Sequence, residues 1–223
     1  MISRISENTT QVIRENYDRL APAYARRFLN ELQSKPLDRE LLNRFAASVR
    51  GRGHVCEMGC GPGHIARYLK DAGTSVFGLD LSPGMIEQCR QLNPDISFQV
   101  GDMMALEFGD ESLAGIVAFY AIVNIPHHCL PSVFREIARV LEPGGLLLLA
   151  FHVGDEILHP EEVLDQPNSM DWFFFQPSDV TRYVEAAGLA IEETIVREPY
   201  APEVEYQSRR AYIFARKPVQ LPK

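Results

Sequence analysis

Between positions 57 and 102 the chain sets out an ordered series of glycines and acids: Glu57-Met58-Gly59-Cys60-Gly61-Pro62-Gly63, then Asp80, then Gly101-Asp102. Glycines remove side chains where a strand-to-helix turn is tight and where a ligand approaches the backbone. The dinucleotide fingerprint is spaced G-x-G-x-x-G. Here the third glycine comes one residue early. Glu57, just before the loop, would repel a pyrophosphate and suits a ligand that presents an amino group. Asp80 closes the next apolar run, 17 residues after Gly63. A carboxylate at the tip of a second strand accepts hydrogen bonds from both hydroxyls of a ribose. Asp102 closes the third run and suits an exocyclic adenine amine. Taken singly, each is equally a turn glycine or a helix cap. In order, at the tips of consecutive strands, they point to a bound nucleoside carrying an amino group.

Groups able to move a proton lie further on. The fourth apolar run ends Phe119-Tyr120-Ala121, followed by a loop with Asn124, His127 and His128, and His152 ends the fifth. Neutral imidazole is a competent base near pH 7. His152, His127 and Tyr120 are therefore the catalytic candidates, although His127 and His128 serve as well for capping a helix or facing solvent. Trp172 and Phe173-Phe174-Phe175 either anchor a loop or wall a pocket for a flat or apolar substrate. Tyr200, Glu203 and Arg209 are expected near the same opening.

These residues need a scaffold. Leu20, Ala21, Tyr24 and Phe28 recur at helical spacing within 9–32, as do Leu37, Leu41, Leu42 and Phe45 within 36–49. From His54 onward short apolar runs alternate with helical stretches. HVCEM, TSVFGLD, ISFQVGD, SLAGIVAFYAI and GGLLLLAFH read as strands. Helices are expected at 64–72, 83–92 and 130–141, the second with Ser82 as N-cap and Pro83 in its first turn. That alternation predicts an α/β fold, a doubly wound parallel sheet. LAIEETIVRE and SRRAYIFARKP add a late pair. The expected sheet is mostly parallel and seven-stranded, with an antiparallel last strand and an N-terminal helical cover. The single domain divides into a cover (1–50), a core (51–151), an irregular insert (152–176) and a last helix with its strand pair (177–218).

Composition narrows the function. With 46% hydrophobic and 23% charged residues the chain can build a full core. Its formal net charge of −8 argues against nucleic acid and against an anionic membrane surface as partners. No stretch reads as a signal peptide or a membrane span. The four cysteines show no paired CxxC spacing, so no metal is expected and a reducing, cytoplasmic setting is.

EMGCGPG, GLDLSPGMI, GDMMALEF and FREIARVLEPGGLLLLAF, with YDRLAPAY near the N-terminus, resemble the ordered motifs of class I, Rossmann-like S-adenosylmethionine (SAM)-dependent methyltransferases of the small-molecule type. The resemblance runs from Tyr17 to Phe151, and the tail fits the family's last helix and strand pair. It implies SAM as cofactor and S-adenosylhomocysteine as product. Glu57, Gly59 and Gly61 would border the methionine moiety. Asp80 would hold the ribose, with Leu81 and Met85 flanking the adenine and Asp102 and Met103 reading its edge. Phe119 would offer its backbone beside the methionine part, and Tyr17 and Tyr24 would cap the site. The implied partner is a small-molecule methyl acceptor, with the chain a monomer or homodimer. A cyclase or isomerase on the same scaffold is the alternative. The early third glycine and Glu57 weigh against a nicotinamide enzyme, and the intact loop and acids against a non-enzymatic binding module.

Overall fold

The computed structural model describes residues 6–219. Seven strands form one sheet: β1 (His54–Met58), β2 (Ser75–Asp80), β3 (Ser97–Val100), β4 (Leu113–Phe119), β5 (Leu141–His152), β6 (Ala190–Arg197) and β7 (Arg210–Arg216). Their spatial order is β6-β7-β5-β4-β1-β2-β3. The last strand, β7, runs antiparallel to both β5 and β6, and the other pairs are parallel. The mostly parallel, doubly wound sheet with an antiparallel last strand is thus as the sequence predicts. Strand order reverses between β1 and β4, which is where open α/β sheets bind ligands beyond the strand tips.

Six helices flank the sheet: α1 (Glu7–Phe28), α2 (Pro36–Val49), α3 (His64–Asp71), α4 (Pro83–Leu92), α5 (Leu130–Val140) and α6 (Pro177–Ala186). β5 shows why two layers form. Leu147, Leu149 and Phe151 point into the core shared with Val133, Ile137 and Val180 of α5 and α6. Leu146, Leu148 and Ala150 point to the other side, against Leu41, Phe45 and Leu69 of α2 and α3. A period of two with both faces apolar requires a layer on each side.

Three expectations change. The first helix ends at Phe28 rather than 32, because Asn30 leaves helical angles (φ −106°, ψ 11°) and a short 3-10 turn, Glu31–Ser34, follows and buries Leu32. The N-terminal cover has two different parts: α2 is a layer of the sheet, whereas α1 packs on α4 and lies over the strand tips. The insert is not irregular throughout. Ile157–Leu158 pairs with Trp172–Phe173, and Glu162–Val163 pairs with Gln166–Pro167. The second ribbon turns on Leu164 and Asp165, both at positive φ (51° and 59°), the angles of a primed hairpin turn.

Candidate functional site

A cleft of about 780 Å³, including its open mouth, lies across the tips of β1 to β4 and beneath α1. Its floor is the glycine loop. Gly59, Gly61 and Gly63 all have positive φ, and a Cβ on Gly59 would come within 2.6 Å of the Ala121 Cβ. The loop therefore presents bare backbone. Ten of the eleven residues expected at the cofactor line this cleft: Tyr17, Tyr24, Gly59, Gly61, Asp80, Leu81, Met85, Asp102, Met103 and Phe119.

Glu57 does not. It is 2% exposed, and its carboxylate accepts the Ala66 N–H at 2.8 Å. Gly63 stands at the N-cap of α3 and has no side chain to offer, so the acid from β1 performs the capping. Burial, with Asp80 and Glu31 nearby, raises its pKa well above the ordinary range, opposed by the bond from Ala66. Glu57 is correctly placed below the floor as a support for the loop.

Asp80 is half-buried and splits its oxygens: Oδ2 accepts the Gly61 N–H and Oδ1 the Ser82 N–H, both at 2.9 Å. Burial lifts its pKa to about 6 against these two bonds, and the Asp18 carboxylate adds to the rise. Asp18, on α1, was not singled out from the sequence. Its Oδ1 accepts the Ser82 hydroxyl at 2.6 Å and the Gly84 N–H at 2.7 Å, so it holds α1 to the first turn of α4. Ser82 is itself the N-cap of α4, accepting from Met85 N–H at 3.0 Å. At the third tip, Asp102 turns one oxygen back to Met104 N–H at 2.8 Å.

On the roof, the Tyr17 and Tyr24 rings meet edge to face with centroids 6.2 Å apart. The Tyr17 hydroxyl donates to Asn124 Oδ1 at 2.7 Å. Burial, then the charge of Asp80, raises the Tyr17 pKa.

The catalytic candidates divide. Tyr120 lines the cleft at positive φ (55°), with its hydroxyl buried beside that of Tyr212. The neighbouring Tyr212 hydroxyl is spent on Asp38 at 3.0 Å. Lys35 and Arg210 lie over the Tyr120 ring at 5.4 and 5.5 Å. Burial dominates and raises its pKa well above 10. His152 stands behind Tyr120, ring centroids 5.1 Å apart, and is not part of the cleft wall. Its ring stacks on Phe174 at 5.0 Å, and Nδ1 meets the Ser208 hydroxyl at 2.8 Å. Burial, then Arg210 and Lys35, pushes its pKa down to about 3. So poor a proton acceptor does not fit the expected role of general base near pH 7. His127 packs on Phe175 (4.7 Å) and Phe173 (6.2 Å), away from the cleft, and His128 is exposed.

The aromatic run chiefly anchors: Phe174 and Phe175 are buried. Tyr200, Glu203 and Arg209 do not reach the cleft. Tyr200 accepts the Leu37 N–H at 3.1 Å and lies under Arg197, Arg209 pairs with Glu198 at 3.3 Å, and Glu203 is exposed. Among the described residues no group of three or more His, Cys, Asp or Glu is placed to hold a metal.

Strand order, a glycine loop at the switch point and carboxylates at successive tips define a nucleoside-binding protein of the Rossmann-like class. Residues 55–145 match the family described as "Methyltransferase domain". A demethylmenaquinone methyltransferase of Renibacterium salmoninarum is 34% identical over 124 residues, 55% of this chain and 48% of the relative. A trans-aconitate 2-methyltransferase of Methylobacterium nodulans is 33% identical over 131 residues, 56% of this chain and 46% of the relative. The chain thus spans about half the length of these relatives. The cyclase SpnF superposes with a TM-score of 0.71 at 19% identity, over 95% of this chain and 97% of its own. The family match thus covers residues 55–145, and the likeness to solved structures shows the fold of the chain.

Proposed function

We propose that the protein binds SAM in the cleft and transfers its methyl group to an oxygen, nitrogen or carbon of a small metabolite, releasing S-adenosylhomocysteine. The observation that carries this reading is Asp80. Backbone N–H groups hold both its oxygens, at the tip of β2, in the wall of a cleft whose floor is bare glycine backbone. Lone pairs remain on each oxygen for a ribose diol. The loop gives a cationic amino acid end no side chain to collide with, and Met85, Leu81 and Met103 offer apolar contact to a base. The residues therefore fit the cofactor, which when bound supplies an already activated methyl group.

The protein's own part is alignment, since in-line displacement from an activated donor gains most from positioning. Tyr120 lines the cleft with His152 packed behind it, and the acceptor enters as a ready nucleophile. A small acceptor agrees with the net charge of −8 and with the small molecules in the names of the two relatives. The proposal includes a cytoplasmic protein, monomer or homodimer, organised as cover, core, insert and final helix with strand pair. A non-methylating reaction on the same site is the second reading, favoured by the likeness to SpnF.

Calorimetric titration with S-adenosylhomocysteine is expected to show one site, weakened more than tenfold by Asp80→Ala (roughly 1.4 kcal/mol or more). Equal affinity in both proteins would remove the site. A screen of metabolites for S-adenosylhomocysteine release then separates methyl transfer from the second reading.

A further inference from the structure

Among the described residues, the insert at 152–176 gives no residue to the cleft wall, yet one side chain of the wall holds it. Asn124, in the loop after β4, lines the cleft and is 6% exposed. Both ends of its amide are used. Its Oδ1 accepts the Tyr17 hydroxyl of α1 at 2.7 Å, and its Nδ2 donates to the Asp171 carbonyl of the insert at 2.8 Å. Beside it, Phe173 N–H donates to the Val123 carbonyl at 2.7 Å.

α1 and the insert also hold each other. Asn16 Nδ2 donates to the Ser169 hydroxyl at 3.0 Å, Arg19 to the Pro167 carbonyl at 2.9 Å, and Met170 packs with Ile13 and Leu20. The helix that roofs the cofactor cleft and the insert that lies outside it therefore form one body. Asn124 ties that body to the loop after β4. A neutral amide accepts from the phenol through its oxygen and donates to the carbonyl through its nitrogen at the same time. Aspartate keeps the first bond and loses the second, and alanine loses both.

We propose that Asn124 is a positioning residue that latches α1 and the insert together to the tip of β4, so that filling the cofactor cleft and ordering the insert are one event. The inference rests on the cofactor reading above. A ligand that presses on Tyr17 favours the latched form, and the latched form carries an ordered insert. Cofactor then precedes acceptor. By linkage, an acceptor that contacts the insert tightens cofactor binding by the same factor.

The test is hydrogen exchange of peptides covering 157–173, with and without S-adenosylhomocysteine, alongside calorimetry on the same samples. Wild type, Tyr17→Phe, Asn124→Asp and Asn124→Ala are compared. In the wild type the ligand is expected to slow exchange in the insert. Tyr17→Phe and Asn124→Asp should each reduce that slowing by about fivefold, the weight of one hydrogen bond. Tyr17→Phe should add nothing in the Asn124→Ala background. An asparagine with only a structural role would change exchange in the free protein and leave the ligand-induced difference intact. The latch is overturned if the ligand binds with measurable heat and the insert does not respond, or if the response survives in both Asn124 variants. Absence of binding to the wild type overturns the cofactor reading and the latch with it. Should Asn124→Ala not fold, Tyr17→Phe and Asn124→Asp carry the same comparison.

Discussion

Burial and hydrogen bonding pull Asp80 in opposite directions, and burial prevails. Its value of about 6 lies above the ordinary 3.8, so the folded protein holds this proton more tightly than the unfolded chain does. The stability its protonated form contributes is fully present below 3.8 and is lost as pH rises through about 6. Binding has the opposite sign. A ribose diol donates to the carboxylate, so affinity for S-adenosylhomocysteine should rise between pH 5 and about 7 and then level. Titrations across that range should show the rise in the wild type and none in Asp80→Ala. A rise that persists in the variant would assign it to another group. His152 gives a contrasting expectation. Held near 3, it does not change charge between pH 5 and 8, so His152→Gln should leave the shape of the pH profile unaltered. Loss of one limb of the profile would restore His152 as the base. The identity of Asp80 and its strand-tip position were legible in the sequence. The loss of basicity at His152 was not, because its burial, and then Arg210 and Lys35, arise only through the fold.

Elements whose signals are local were read correctly, and the long-range ones were missed. Ser82 and Pro83 announce the start of α4 within two residues, and Gly73, at φ 87°, follows the end of α3. The paired turn at Leu164-Asp165 was missed because it lacks the Asn-Gly or Asp-Gly that usually marks positive φ at both central positions. Asp18 was missed because its partners Ser82 and Gly84 lie more than sixty residues away. That contact sets the seating of α1. A Cβ on Gly84 would come within 2.9 Å of Asp18 Cα and 3.0 Å of its carbonyl oxygen, both backbone atoms that cannot rotate away. Gly84→Ala should therefore lift α1 from α4, costing about 1–3 kcal/mol. It should also weaken S-adenosylhomocysteine binding through the displaced Tyr17 and Tyr24. Thermal unfolding and calorimetry together check this. An unchanged Tm with unchanged affinity would mean that α1 is seated elsewhere.

For the whole molecule, the sheet and its two layers could be read from alternating apolar runs, since a strand buried on both faces leaves few other choices. What could not be read is the polar cluster that fastens the N-terminal helices to the antiparallel edge. Glu205, 6% exposed, accepts from Arg197 by both oxygens and from Tyr200 N–H, and lies 3.8 Å from Lys35 and 3.7 Å from Arg210. Lys35 and Arg210 are themselves buried. One carboxylate thus serves three cations drawn from the segment before α2, from β6 and from β7, and it does so behind Tyr120. These partners lie more than 150 residues apart in part, and no spacing rule connects them. The arrangement yields a prediction with its own control. Glu205→Gln removes the carboxylate charge shared by two buried cations and the half-buried Arg197, and breaking a buried ionic group on one side typically costs about 3–5 kcal/mol. Glu193, whose pair with Arg44 is exposed on both sides, should give less than about 1 kcal/mol when changed to Gln. The carboxyl of Glu205 is held below its ordinary value by its cations despite burial, so its contribution is present above that value and fades as pH falls through the lowered one. Urea unfolding at pH 7 should therefore separate the two variants widely, and the gap should narrow towards pH 4. Equal stability of Glu205→Gln and Glu193→Gln at pH 7 would show that the cluster does not fasten the edge, and that apolar packing of β7 against β5 holds it alone.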